Sequence, residues 1–122
     1  MSNEKLRIGK GFDIHRLEPN LPFMLGGTEI KYSKGFKAHS DGDIMLHALI
    51  DALMGAAGLG DIGTHFPDTN PEFAGVSGEI LLQKTLHLMP PFTIINLDVT
   101  IYCEEPRLSP FRAEIINSLS NL

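Results

Sequence analysis

The sequence has a single cysteine, no tryptophan and no hydrophobic run of membrane-spanning length among its 122 residues. One cysteine, Cys103, excludes an intramolecular disulfide and favours a reducing compartment. Because the chain has no such hydrophobic run and begins with a short polar leader at Met1 to Lys5, we expect neither a membrane segment nor a signal peptide. We therefore expect a cytoplasmic protein with no membrane partner.

An excess of positive charge is also absent, because 10 lysine and arginine residues are outnumbered by 15 aspartate and glutamate residues, for a net charge of −5. The basic residues are scattered, so nucleic acid is not an expected partner. The chain length suits one domain with one core, and we interpret residues 1–122 as a single domain.

Two segments alternate between apolar and polar side chains, which predicts β-strands at Leu6 to His15 and at Thr93 to Tyr102. Their apolar faces consist of Leu6, Ile8, Phe12 and Ile14, and of Ile95, Leu97, Val99 and Ile101. Between them, Phe23 to Leu25 and Thr28 to Ile30 flank Gly26-Gly27. That pattern predicts a hairpin, because its two-residue turn requires positive φ angles.

Capping residues and apolar periodicity predict helices in three places. The longest begins after His39 to Asp43 and ends at Gly58 to Gly60, and its apolar residues point in nearly all directions, so it should be buried. The second runs from a Ser77 cap to about Leu88, and the last follows Ser109-Pro110. The inward residues are predicted to be Ile80, Leu81, Leu82 and Leu86 in the second helix, and Phe111, Ile115, Ile116 and Leu119 in the last.

Strands interleaved with helices predict a two-layer α/β (α+β) sandwich, in which helices cover one face of a mixed β-sheet. Lys31 to Lys37 is expected to be a connection. Thr64 to Gly75 is rich in turn residues and is either a lid or a surface loop. The uncovered sheet face carries the uncharged polar residues Asn96, Thr100 and Tyr102, which suit packing against another copy of the chain, so we predict an oligomer.

His47 lies on the long helix between Asp43 and Asp51, four residues from each. It is either a core histidine hydrogen-bonded to a neighbour such as Asp43 or Asp51, or a metal ligand that requires other ligands from elsewhere in the chain. The start of this helix should also favour an anion, because unpaired backbone N–H groups and the positive end of the dipole meet there. A phosphate could therefore lie beside His39 and Ser40.

Asp13 and His15 share one face of the first predicted strand, next to the small residues Gly9 and Gly11. They are either a polar pair facing water or two ligands of a metal ion. Together with His47 they would form a shell of two imidazoles and one carboxylate with an open fourth position. Such a shell suits zinc with a water or phosphate oxygen, so the pocket would favour a phosphorylated substrate.

A family resemblance is carried by the stretches GFDIHRL, MLGGTEI, AHSDGDIMLHALIDALMGAAGLGDIG and FPDTNPEF. Over roughly residues 7 to 110 the chain resembles the methylerythritol cyclodiphosphate synthases of the non-mevalonate isoprenoid pathway. The resemblance implies a lyase-type reaction, in which the 2-phosphate of a cytidine-diphosphate methylerythritol attacks the β-phosphorus of the same molecule and releases CMP. It also implies a homotrimer with sheets packed around the trimer axis and active sites between adjacent subunits.

The resemblance further implies roles for individual residues. Asp13, His15 and His47 would bind one Zn²⁺ per subunit, and His39 would stabilise charge in the transition state. The implied substrate contacts are Asp13, His15, His39, Ser40, Asp61, Ile62, Gly63, Phe66, Pro67, Asp68, Thr69 and Asn70. The implied nucleotide contacts, contributed by the neighbouring subunit, are Cys103, Glu104, Glu105, Pro106, Arg107, Leu108 and Ser109. The chain has Asn70 and Arg107 where the family often has Asp and Lys.

The family pattern also contains a later strand with a Thr-Thr-x-Glu motif and a final helix, and neither has a counterpart in residues 1–122. The Thr residues would contact the cytidine diphosphate, and the Glu would hold a second divalent cation, Mg²⁺ or Mn²⁺. We expect either a shortened form of a longer chain, or a protein that binds zinc and a nucleotide diphosphate without efficient cyclisation. A zinc-dependent phosphohydrolase is a third hypothesis, which a linear phosphate product would support.

Overall fold

Short strands precede the helices within residues 5–122, which are the residues that the computed structural model describes; residues 1–4 of the predicted polar leader lie outside them. The strands are β1 (Leu17–Pro19), β2 (Phe23–Leu25), β3 (Thr28–Ile30) and β4 (Lys34–Phe36). The helices are α1 (Ile44–Ala57), α2 (Ile62–His65), α3 (Gly78–Leu88) and α4 (Arg112–Ser120). Single 3₁₀ turns occur at Pro71–Phe73 and Ser109–Phe111.

The hairpin predicted around Gly26 and Gly27 is confirmed. Strands β2 and β3 pair antiparallel, with Phe23 opposite Ile30. The φ angles of Gly26 and Gly27 are 65° and 84°, which glycine adopts without the steric cost that a side chain would impose.

A second antiparallel pair joins β1 to β4, with Leu17 opposite Phe36 and Pro19 opposite Lys34. The expectation that Lys31 to Lys37 is only a connection was therefore wrong. Strands of three residues are too short for apolar alternation to reveal them.

Helix α1 has the boundaries that its capping residues predicted. The Asp43 side chain accepts a hydrogen bond from the Leu46 N–H at the start, and Gly58 ends the helix with a φ of 72°. The predicted burial is confirmed along most of its length, at Ile44, Met45, Leu46, His47, Leu49, Ile50, Leu53 and Met54.

Helix α3 also agrees with its prediction, from the Ser77 cap to Met89, which follows the last helical residue. Leu81 and Leu82 are buried as expected, but Ile80 is 46% exposed. The buried face of α3 also contains Thr85, which lies one turn after Leu81 and Leu82. In α4, Ile115 is buried, whereas Ile116 is 56% exposed. The buried faces of α3 and α4 thus contain fewer of the predicted apolar residues than expected.

The two long strands predicted at Leu6 to His15 and Thr93 to Tyr102 do not form in the described part of the chain. Most of their apolar side chains are exposed, including Ile8 at 87% and Ile95 at 76%, although Ile101 is partly buried. A strand exists only when a neighbouring segment satisfies its backbone groups, and alternation along one segment does not supply that neighbour. The prediction of strands at these positions was wrong for this structure.

The buried apolar residues form two clusters that meet at Leu119. One lies between α1 and α3, and the other lies between the hairpin, β4, the start of α1 and α4. This arrangement confirms the mixed α/β class. Among residues 5–122, no helix combines the length and the hydropathy that a membrane crossing requires.

Candidate metal and phosphate site

Asp13, His15 and His47 lie together, as the sequence predicted. Asp13 Oδ2 is 3.1 Å from His47 Nδ1 and 3.3 Å from His15 Nε2. The two imidazole rings meet edge to face, with centroids 5.8 Å apart. The carboxylate therefore lies between two imidazoles, with one oxygen close to a nitrogen of each.

Glycines bring the segment that carries Asp13 and His15 onto α1. A Cβ atom built on Gly9 or Gly11 would lie 1.7 Å from a backbone carbonyl oxygen of α1, at Ala52 or Ala48 respectively. Since no side chain fits in that space, only glycine permits this close approach. The approach places Asp13, two residues beyond Gly11, within reach of His47.

His47 is 5% exposed, and both of its ring nitrogens have partners. Nδ1 lies beside Asp13, and Nε2 is 2.9 Å from Ser40 Oγ. His47 is thus a nearly buried histidine with hydrogen-bond partners, but those partners are Ser40 and Asp13, and the suggested partners Asp43 and Asp51 were wrong. Asp51 instead accepts a hydrogen bond of 2.7 Å from the Ile62 N–H, a structural contact that joins α1 to α2.

The start of α1 already holds a carboxylate. Asp43 is fully buried, and it accepts hydrogen bonds from three backbone N–H groups, those of Gly26, Gly27 and Leu46. Burial raises the pKa of Asp43, although these bonds to the carboxylate act in the opposite direction. The carboxyl group of Asp43 occupies the cap position, so a phosphate would depend on the side chains of His39 and Ser40.

Asp41 connects the same segment to α3, whereas sequence reasoning placed it only among the cap-type residues before α1. Its carboxylate accepts hydrogen bonds from the N–H groups of Asp43 and Gly78, and its own N–H donates to the carbonyl of Val76. These contacts fix the backbone that carries His39 and Ser40. The contacts with Val76 and Gly78 join residues distant in sequence, so no local pattern could have identified them.

A cavity of about 290 Å³ opens beside the three predicted ligands. It is lined by Asp13, His15, Ala38, His39, Ser40, His47, Ile62, Gly63, Phe66, Pro67, Asp68, Phe73 and Leu81. Most of the predicted substrate contacts are among these residues. Thr64 to Gly75 contributes Phe66, Pro67, Asp68 and Phe73, so one part of this segment is a wall of the cavity, and it contains the α2 terminus and a 3₁₀ turn.

Three predicted substrate contacts are not part of the cavity wall. Asp61 caps α2 through hydrogen bonds from Thr64, which lower the pKa of the Asp61 carboxyl. Thr69 is exposed. Asn70 caps the 3₁₀ turn with its side chain, and its carbonyl accepts a 2.9 Å hydrogen bond from His39 Nε2. Asn70 thus orients His39 within this chain.

The predicted nucleotide segment, Cys103 to Ser109, does not line this cavity. Its Glu105 accepts a hydrogen bond from Tyr32 and forms a 3.0 Å ion pair with Lys34. The bond to Glu105 raises the pKa of Tyr32 to about 12, and the same bond, with Lys34, lowers the pKa of Glu105. This segment is therefore bonded to residues between and within β3 and β4, away from the three candidate metal ligands.

The donor set at the candidate site fits a divalent cation. One ligand atom from each of Asp13, His15 and His47 lies within 4.8 Å of the other two. Two imidazole nitrogens and one carboxylate oxygen are ligands that zinc accepts in catalytic sites. The adjoining cavity leaves room for a further ligand from water or substrate.

Comparisons with known proteins all identify the same family. The YgbB family model matches residues 6–122. Proteins named 2-C-methyl-D-erythritol 2,4-cyclodiphosphate synthase from Desulfatibacillum aliphaticivorans and Enterococcus faecalis are 44% and 48% identical over 117 residues, 94% of this chain and 76% and 74% of those proteins. A chloroplastic relative of the same name from rice is 43% identical over 118 residues, 95% of this chain and 53% of its own length.

Solved structures also match. A 2C-methyl-D-erythritol-2,4-cyclodiphosphate synthase in its CDP-bound form has a TM-score of 0.76 at 37% identity, covering 94% of this chain and 78% of the other. A Plasmodium falciparum IspF in complex with CDP has a TM-score of 0.77 at 33% identity, covering 94% of this chain and 71% of the other.

Proposed function

The chain belongs to the YgbB family, and on that premise we propose that it is a 2-C-methyl-D-erythritol 2,4-cyclodiphosphate synthase of isoprenoid precursor biosynthesis. The reaction would convert 4-diphosphocytidyl-2-C-methyl-D-erythritol 2-phosphate to the 2,4-cyclodiphosphate and release CMP. The observation that carries the proposal is the meeting of Asp13, His15 and His47 beside a cavity lined by His39 and Ser40. The names of the relatives support the same reaction.

We propose zinc as the metal at Asp13, His15 and His47. Imidazole nitrogens with one carboxylate suit this borderline-soft cation better than they suit Mg²⁺, which prefers oxygen ligands. Bound there, zinc would supply positive charge for phosphate oxygens. A second cation, Mg²⁺ or Mn²⁺, remains part of the proposal from the family resemblance.

The side chains around the cavity would orient the substrate and exclude water. The Ser40 hydroxyl would donate a hydrogen bond to a phosphate oxygen. The Nε2–H of His39 donates to the Asn70 carbonyl and holds the ring in position, so His39 would donate to phosphate from Nδ1 when the ring carries both protons. Phe66, Phe73 and Leu81 make part of the wall apolar. Cyclisation requires the attacking and leaving groups to be aligned in one bound conformation, so positioning is the main contribution of these residues.

The nucleotide would be bound between subunits of a homotrimer. The CDP complexes of related proteins support a nucleotide ligand, and Cys103 to Ser109 is the segment that we propose to contact it from the neighbouring subunit. The large apolar side chains exposed on residues 6–14 and 92–99 offer a surface for subunit packing. Light scattering coupled to size-exclusion chromatography should give three times the monomer mass.

The test of the function is product analysis with the zinc-loaded protein and a Mg²⁺-containing buffer. We expect the diphosphocytidyl substrate to disappear while CMP and a cyclic diphosphate form in equal amounts, as measured by chromatography and mass spectrometry. His47→Ala should show little turnover, and Asp51→Asn is the matched variant on the same helix outside the ligand set. A linear phosphate product, or CDP binding without CMP release, would overturn the proposal.

We also propose the cytoplasm as the location, since a single cysteine suits a reducing compartment. The rice relative is named chloroplastic. Fractionation of the source cells with detection by antibody would distinguish the two compartments.

A further inference from the structure

Ser40 lies between a predicted metal ligand and the cavity. Its Oγ is 2.9 Å from His47 Nε2, while Nδ1 of the same ring is 3.1 Å from Asp13 Oδ2. Both nitrogens of a nearly buried imidazole are therefore engaged. The direction of each hydrogen bond depends on which nitrogen carries the ring proton.

We propose that Ser40 is a positioning residue for the metal, because its hydroxyl accepts a hydrogen bond from His47 Nε2–H and so holds the Nδ1 lone pair toward the ion. This inference rests on the proposed function only for the presence of a metal at Asp13, His15 and His47. It assigns to Ser40 a role in metal binding that does not require a phosphate to be bound.

The distances identify Nδ1 as the nitrogen that faces the ion. Asp13 Oδ2, His15 Nε2 and His47 Nδ1 lie close together, with Asp13 Oδ2 3.3 Å and 3.1 Å from the two nitrogens. Nε2, the other ring nitrogen of His47, lies next to Ser40. A histidine that binds a metal through one nitrogen commonly donates the other N–H to a fixed acceptor, which keeps the ring in the required tautomer.

The same geometry gives Ser40 two different hydrogen-bonding states. When Nδ1–H of a neutral ring donates to Asp13, Nε2 can only accept, and Ser40 uses its single hydrogen to donate to it. When Nδ1 faces a cation, the ring proton is on Nε2, and Ser40 must accept. Its hydrogen is then available to an anion in the cavity. Metal and anion would therefore favour each other's binding.

The experiment compares Ser40→Ala and Ser40→Thr with wild type, with Ser120→Ala as a matched control that removes an exposed hydroxyl at the end of α4. The zinc dissociation constant is measured by chelator competition, and urea unfolding identifies variants that fail to fold. We expect zinc binding to weaken about 10-fold in Ser40→Ala. Ser40→Thr keeps the hydroxyl and should bind zinc as wild type does, as should Ser120→Ala.

Nitrogen chemical shifts of ¹⁵N-labelled histidine provide a second readout that a merely structural role would not change. In the zinc-loaded wild type we expect the His47 proton on Nε2 and the metal on Nδ1. Zinc on Nε2, or Ser40→Ala binding zinc within twofold of wild type, would overturn the inference. If the wild type binds zinc as expected but forms no cyclic product, the proposed function fails and the role of Ser40 stands. If Ser40→Ala loses turnover with unchanged zinc affinity, Ser40 is a substrate contact only.

Discussion

Substituting Gly11 by alanine should disrupt the proposed metal site without changing any of its proposed ligands. The added Cβ would lie 1.7 Å from the Ala48 carbonyl oxygen and 2.6 Å from its carbon, whereas real Cβ atoms essentially never approach closer than 3.0 Å. The segment must therefore move away from α1 by about 1.3 Å, the difference between these distances. Both atoms belong to the helix backbone, so no side-chain rotation can relieve the overlap.

That displacement is large compared with what a metal site tolerates. Ligand distances in a functional site hold to about 0.2 Å. A shift of the segment that carries Gly11 would move Asp13 and His15 together, while His47 stays on α1. We expect zinc affinity to fall by at least about 10-fold, and the free energy of unfolding to fall by about 1–3 kcal/mol from overpacking.

Gly55→Ala is the matched control. Gly55 is in α1, and a Cβ there meets nothing within 4 Å, so the exchange should stabilise the helix by about 0.5–1 kcal/mol. Zinc affinity is measured by chelator competition, and stability by urea unfolding. Wild-type zinc affinity in Gly11→Ala would refute the reasoning, because it would mean that the close approach to α1 does not position the ligands.

The remaining predictions concern single contacts. His47→Ala should lose most bound zinc, whereas Asp51→Asn should retain it, as elemental analysis would show; full zinc occupancy in His47→Ala contradicts the ligand assignment. Asp43→Ala leaves buried N–H groups without an acceptor and should cost about 3 kcal/mol in urea unfolding; a loss below about 1 kcal/mol would contradict this role. The ultraviolet absorbance of tyrosinate should show a transition near pH 12 for Tyr32, which Glu105→Gln moves toward 10. Because the pKa of Tyr32 is raised on folding, the contribution of the Tyr32–Glu105 hydrogen bond to stability is complete below pH 10 and is lost as the pH rises through about 12. If Glu105→Gln does not move the Tyr32 transition, the result argues against this hydrogen bond.

The sequence predicted those parts of the fold that depend on neighbouring residues. Ser77 and Gly58 mark helix ends because a cap acts within one turn. The Gly26-Gly27 hairpin is equally local, since the turn fixes the pairing. The strands expected at Leu6 to His15 and Thr93 to Tyr102 failed because a ladder needs a partner that the segment itself does not specify.

In the candidate site, too, local features could be predicted from the sequence and long-range contacts could not. Cap residues and the resemblance identified His39, Ser40 and His47, and the cavity brings them together. The contacts of Asp41 with Gly78 and of Asp43 with the hairpin could not be read from the sequence, because they join residues 37 and 16 to 17 positions apart. Such contacts form only after the chain has folded.

Alternation at the start of the chain correctly predicted which residues share a face, even though it predicted a strand wrongly. It placed Asp13 and His15 on the face that carries Gly9 and Gly11, and that face lies against α1. The apolar side chains of the other face are exposed instead of buried. What positions the ligands is therefore the absence of side chains at two glycines that share their face, and strand pairing within the described chain is not required for it.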